Sequence, residues 1–175
     1  MPIVYGEGLN NEKIIEIENK YSISFPKEYA DFLNKKNGLI IREPEFCDLP
    51  YSKVDNGYIS FHALFGLAFI NKNFDLIENN DDYLDEISFT GSSFIIGSDP
   101  GDNFYVLVCS ENNNGVYYWD RTHLHVEDDA QDYDFEEVDE CGHLYKISDS
   151  FGSFLKCIIE NTRLCPLISI NSIII

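Results

Sequence analysis

Four groups of residues in this chain have the types and spacing for chemistry. Asp99 and Asp102 flank Pro100-Gly101, and two such carboxylates can hold a divalent cation or work as an acid/base pair. His123 and His125 alternate in His123-Leu124-His125-Val126; on a strand both rings would share one face and could supply part of a metal site. Cys141 and His143 are the residue types of a thiol nucleophile and its base. The stretch Glu127–Glu140 carries nine acidic residues and no basic one.

The first three have simpler readings. Asp beside Gly caps its own turn through side chain to backbone bonds. No third metal ligand stands near the two histidines. Two loop residues separated by one glycine rarely reach catalytic geometry, and no group is identifiable to orient the pair. The acidic run does not fit a calcium loop, which needs a Gly at its sixth position and a Glu at its twelfth. It reads either as a solvated loop or as a surface for a partner, because charges this dense repel one another without local return. As a partner surface it offers Asp128, Asp129, Asp132, Asp134, Glu136, Glu137, Asp139 and Glu140, with Tyr58 or Tyr117 as an apolar anchor. Walker, Rossmann and Gly-x-Ser-x-Gly motifs are absent from the sequence. The sequence therefore assigns no catalytic residue, no metal ligand and no cofactor.

The 175 residues fit one domain, 1–175, with a sizeable core. A formal net charge of −19 accompanies a hydrophobic content of 44%, so the chain is acidic but not disordered. Such a surface repels phosphate backbones and anionic lipid, and attracts basic proteins. Neither nucleic acid nor membrane is expected as a direct partner. Cys47, Cys109, Cys141, Cys157 and Cys165 are odd in number and hold no C-x-x-C pair, which suits reduced thiols and a cytoplasmic protein. The N-terminus lacks the pattern of a signal peptide.

The elements that would position these groups follow from periodicity. Asn11 can cap a helix with Ile14, Ile17 and Tyr21 on one face, and Pro26 can open a second with Tyr29, Phe32 and Leu33. Gly38 suits the left-handed cap of the second helix. Leu39–Ile41 and Tyr58–His62 read as strands, and Arg42–Asn56 between them reads as loop. Phe74 and Ile77 suggest a short helix. Phe94–Asp120 contains three apolar runs separated by Asp99-Pro100-Gly101-Asp102-Asn103 and Asn114-Gly115, the pattern of a three-stranded antiparallel meander. The flanking helices are expected on one of its faces. His123–Val126 reads as a further short strand. Ser148–Ser150 can cap a last helix with Phe151, Phe154, Leu155, Ile158 and Ile159. The apolar tail 166–175 reads as a strand, too short for a bilayer, which would dock on the sheet or on a second copy, so the chain is a monomer or a homodimer.

Three blocks follow one another in order: Phe25-Pro26 with Tyr29, Phe32-Leu33 and Asn37-Gly38; Ile96-Gly97, Gly101-Asp102 and Val116-Tyr117-Tyr118-Trp119-Asp120; and Ser148-Asp149-Ser150-Phe151 with Phe154-Leu155. Together they resemble the SUKH superfamily, the Smi/Knr-like domains common among bacterial immunity proteins. The excursion 127–140 and the tail depart from the plain pattern. The resemblance implies an α+β fold: a central, mainly antiparallel sheet with the N-terminal helical pair and the C-terminal helix packed on it. It also implies a role, binding and neutralising a cognate toxin protein, here one with a basic, nuclease-type domain. The rival expectations are a non-enzymatic cellular scaffold of the same fold and, from Asp99 and Asp102, a metal-dependent hydrolase.

Overall fold

The structure, a computed structural model, describes residues 2–163 apart from Glu111 and Gln131. The strand expected at 166–175 lies outside the described residues. In chain order the first half runs β1 (Ile3–Tyr5), α1 (Asn11–Tyr21), α2 (Lys27–Lys36), β2 (Leu39–Ile41), β3 (Phe46–Pro50), β4 (Tyr58–Phe61), β5 (Ala63–Leu64) and α3 (Leu76–Tyr83). The second half runs β6 (Ser93–Ser98), β7 (Phe104–Val108), β8 (Gly115–Asp120), β9 (His143–Ser148), α4 (Phe151–Asn161) and β10 (Thr162–Arg163). Short 3-10 turns span Lys72–Phe74 and Leu84–Thr90.

Seven strands form one sheet in the order β1-β2-β5-β6-β7-β8-β9, and every neighbouring pair is antiparallel. A smaller sheet has the order β10-β3-β4. The fold is α+β, with the meander β6-β7-β8 at its centre as its turn chemistry predicts.

Both faces of the meander are covered, not one. Phe94, Tyr105 and Tyr118 share a face by the pairing Phe94↔Leu107 and Tyr105↔Tyr118. Phe25 packs 5.0 Å from Phe94, and Phe154 of α4 packs 5.2 Å from Tyr105. Phe104, Trp119, Val106 and Tyr117 share the other face. Tyr83, the last residue of α3, lies 5.2 Å from Phe104, and Phe135 lies 5.3 Å from Tyr117. Double coverage explains why every residue of β6, β7 and β8 is buried, where a sheet with one wet face would alternate. Asn80 fastens α3 to β6: its amide accepts from Ile95 N and donates to Ile95 O, both at 2.8 Å. The small sheet closes on α4, where Phe61 lies 6.1 Å from Phe154.

The helices start close to their expected positions. α1 is capped by Asn10, one residue before Asn11, whose side chain accepts from Lys13 N. Pro26 is the cap of α2 and not its first helical residue, because its extended ψ of 142° turns the chain into the helix. Asn37 takes the left-handed cap at φ 43°, ahead of Gly38. Its side chain then accepts from Leu67 N and donates to Leu67 O, which an invading glycine could not do. Ser150 caps α4 as expected.

Two loop and strand expectations are corrected. The stretch Arg42–Asn56 contains β3, with Cys47 and Leu49 buried and Pro50 at its last position, where a proline costs no central ladder bond. His123–Val126 is not a strand; it forms consecutive turns, for a reason given below.

Candidate functional site

Asp120 and His143 are opposite one another in the β8-β9 ladder, so the acidic segment leaves the sheet and returns to it at one place. Asp120 is 2% exposed. Its two carboxylate oxygens accept from Leu124 N and His125 N, each at 2.8 Å. These bonds curl residues 121–125 into turns and preclude the strand read from the alternation His123–Val126.

From there the segment is tied down repeatedly. His125 Nδ1 lies 2.9 Å from an Asp128 oxygen that also accepts from Asp55 N at 2.9 Å. Asp55 reciprocates by accepting from Asp129 N and Ala130 N. Lys53 pairs with Asp132 at 3.4 Å and Asp134 at 3.2 Å. Asp134 also accepts from Lys146 N, and Phe135 bridges to Leu144. Glu137 accepts from Gly142 N at 3.0 Å and lies 2.9 Å from His123 Nε2. The His123 contact is the main reason its carboxyl sits below the usual glutamate value. The Tyr133 ring stacks on His143 at 4.1 Å.

Anchoring divides the expected acidic residues into two groups. Asp128, Asp134 and Glu137 spend their oxygens on the fold, and Asp132 is paired with Lys53. Asp129, Glu136, Asp139 and Glu140 are exposed, and their carboxylates have no hydrogen bond or ion pair among the described residues. Asp139 and Glu140 stand at φ 55° and 61° in a turn closed by Cys141 N to Val138 O. Positive φ at both central positions normally selects Asn-Gly; here it carries two carboxylates at the tip. Gly142 follows at φ 94°, and a Cβ there would stand 2.1 Å from the Asp120 carbonyl oxygen.

Apolar side chains are exposed among these acids. Leu124 is 62% exposed and Val138 46%, with Val126 and Tyr133 also open to solvent. The His123–Glu137 contact joins the neighbours of Leu124 and Val138 in sequence. Exposed apolar side chains interspersed with unpaired carboxylates, on a backbone tied down by hydrogen bonds, suit a protein interface. Tyr58 is 46% exposed and begins β4, just past the hairpin loop whose Lys53 and Asp55 hold the excursion. Tyr117 is corrected: it is 2% exposed, because β8 is covered on both faces. Its hydroxyl donates to Asn113 O, and burial pushes its pKa up to about 12.

The other candidate groups are occupied by structure. Asp99 accepts from Gly101 N, Asn103 N, Asn103 Nδ2 and Tyr118 Oη, the self-capped turn expected. His123 and His125 face different acids, Glu137 and Asp128. His143 Nδ1 accepts from Glu137 N, and burial pushes the Cys141 thiol up, away from nucleophilic thiolate. Among the described residues no three His, Cys, Asp or Glu side chains gather as metal ligands, and no helix is long and apolar enough to cross a membrane.

The two-helix opening, the central meander and the capped last helix match one family description, the SMI1 / KNR4 family (SUKH-1), over residues 8–157. The chain belongs to this family. A search of curated proteins found no match. In this SUKH-1 chain the residues that carried the resemblance serve the scaffold: Trp119 Nε1 donates to Cys141 O, Asp120 caps the excursion's first turn, and Asn37 binds Leu67. The excursion falls inside the matched span, yet its exposed residues are not those shared blocks. Leu124 and Val126 were invisible as surface residues in the sequence, because an apolar side chain in a strand-like alternation reads as core, and Val138 went unremarked in a run marked by its charges.

Proposed function

We propose that this SUKH-1 chain is a non-enzymatic immunity protein that binds and neutralises a toxin protein with a basic surface, using the acidic excursion 127–140 together with the turns that flank it in 121–142. One observation carries the reading: Leu124, Val126, Tyr133 and Val138 lie exposed among unpaired carboxylates on a backbone held by its own hydrogen bonds. Such a surface loses little conformational freedom on binding. Long-range attraction from the net charge of −19 speeds the encounter, and the apolar side chains set the residence time. A basic groove that handles phosphates would be blocked by Asp129, Glu136, Asp139 and Glu140 standing in for them. The occupied state of Asp99 and the raised Cys141 thiol support a binding role over a catalytic one.

The test is co-expression with the protein encoded by the adjacent reading frame, followed by co-purification. The wild type should bind and protect cells. A variant with Glu136→Gln, Asp139→Asn and Glu140→Gln should associate more slowly and with a shallower salt dependence, and Val138→Asp should dissociate faster. Protection and binding that survive all of these changes together would remove the excursion as the contact surface. A lone gene with cellular partners, and no toxin neighbour, would favour a regulatory scaffold.

A further inference from the structure

A cleft of about 460 Å³ opens between α3, the β6-β7 turn and Arg121, within the size range of small-molecule sites. Arg121 is its distinctive residue. The guanidinium carbon lies 4.4 Å from the Tyr83 ring centre, 5.4 Å from Phe104 and 5.7 Å from Trp119. Three rings thus fix a planar cation whose orientation would otherwise vary over many rotamers. The guanidinium makes no hydrogen bond to the described residues; its buried Nε forms an ion pair with the Glu86 carboxylate at 3.8 Å, which leaves the Nη donors unused. A preorganised fork with unused donors matches a carboxylate.

The remaining charges on the cleft narrow the ligand. Asp99 is saturated by its own turn and by Tyr118. Lys72 and Glu78 pair with each other at 3.7 Å. Asp82 and Asp102 line the cleft, exposed and unpaired among the described residues. With Glu86 beside Arg121 the surroundings are net negative, so a simple anion is disfavoured, while a simple cation leaves the Nη donors of Arg121 unused. A molecule bearing both signs satisfies each. The lining also includes the buried Phe65 and Phe104 and the part-exposed Phe74, whose ring offers apolar surface to a small hydrocarbon group.

We infer that this cleft binds a zwitterionic small molecule of the α-amino acid class, with its carboxylate on the Nη donors of Arg121, its ammonium toward Asp82 and Asp102, and an apolar side chain against Phe74. The inference stands apart from toxin binding, and either can fail without the other.

The experiment uses the full chain, labelled with nitrogen-15, with the Arg121 Nε–H resonance as reporter, assigned from its loss in Arg121→Lys. L-leucine and L-phenylalanine are titrated to roughly 10 mM, the range where weak sites of this kind saturate. One or both should shift the Arg121 resonance saturably. N-acetyl-L-leucine, L-leucine methyl ester and inorganic phosphate should bind at least about tenfold more weakly. The double variant Asp82→Asn/Asp102→Asn alters two exposed side chains and should unfold at the wild-type urea midpoint, yet lose affinity about tenfold or more. Absence of a saturable shift with both zwitterions, equal binding of the blocked analogues, tighter binding of phosphate, or full affinity in the double variant would overturn the inference.

Discussion

Replacing Asp120 tests whether one buried carboxylate organises the start of the excursion. Its two oxygens take 2.8 Å bonds from Leu124 N and His125 N, and the second of these lies in a fully buried setting. Hydrogen bonds to a carboxylate contribute about 1.5–3 kcal/mol each, and a stranded buried N–H costs a similar amount. Asp120→Ala should therefore lower stability by about 3–5 kcal/mol, a large share of the 5–15 kcal/mol typical of a domain. Asp120→Asn keeps one acceptor oxygen but turns an amide toward the other N–H, so about 2 kcal/mol should be lost. Urea unfolding at constant slope gives both values. Amide exchange at Leu124 and His125 reports whether the loss begins locally. A change under about 1 kcal/mol for the alanine variant, or unaltered exchange at both amides, would refute the assignment.

Gly142→Ala should cost about 2 kcal/mol or more, since φ is 94° and the new Cβ would stand 2.1 Å from the Asp120 carbonyl oxygen; an unchanged urea midpoint would contradict this. Burial pushes the Cys109 thiol up to about 11. In the native protein at about pH 8 it should alkylate about a hundredfold more slowly than in urea, which peptide mass spectrometry can follow site by site. Glu137 is held below the ordinary glutamate value of 4.5, first by its His123 contact. Its contribution to stability is therefore present above pH 4.5 and lost as pH falls through the lowered value. The stability gap between wild type and Glu137→Gln should shrink on acidification through that range, and a gap that widens there would show the sign to be wrong.

The meander was legible because its turns carry their own chemistry. Asp99-Pro100-Gly101 and Asn114-Gly115 dictate chain reversal whatever surrounds them. The helices were legible because Ile14 and Ile17, Tyr29, Phe32 and Leu33, and Phe151, Phe154 and Ile158 recur at helical spacing and are buried. What stayed hidden depends on partners distant in sequence. Nothing local shows that Phe46–Pro50 finds Tyr58–Phe61 and Thr162–Arg163 as neighbours. The second covered face was missed because Phe135 sits in a run that its charges mark as solvent. Its ring nevertheless rests on Tyr117 and Phe89. The same blindness misplaced Tyr117, and it overlooked Lys53 and Asp55, whose role exists only once two loops meet. The division of the acids into anchoring and available groups follows from backbone N–H positions that no composition can show.

Since Asp120 and His143 form a ladder pair, the 22 residues 121–142 amount to an enlarged hairpin tip. A hairpin tip can be exchanged for another of different length without rethreading a single strand. If the proposed contact surface is right, recognition and architecture part at the side chains that the anchors leave free: a lineage could re-tailor its specificity at Leu124, Glu136, Val138, Asp139 and Glu140, while Asp120, Phe135 and Glu137 go on tying the insert to the seven-stranded sheet.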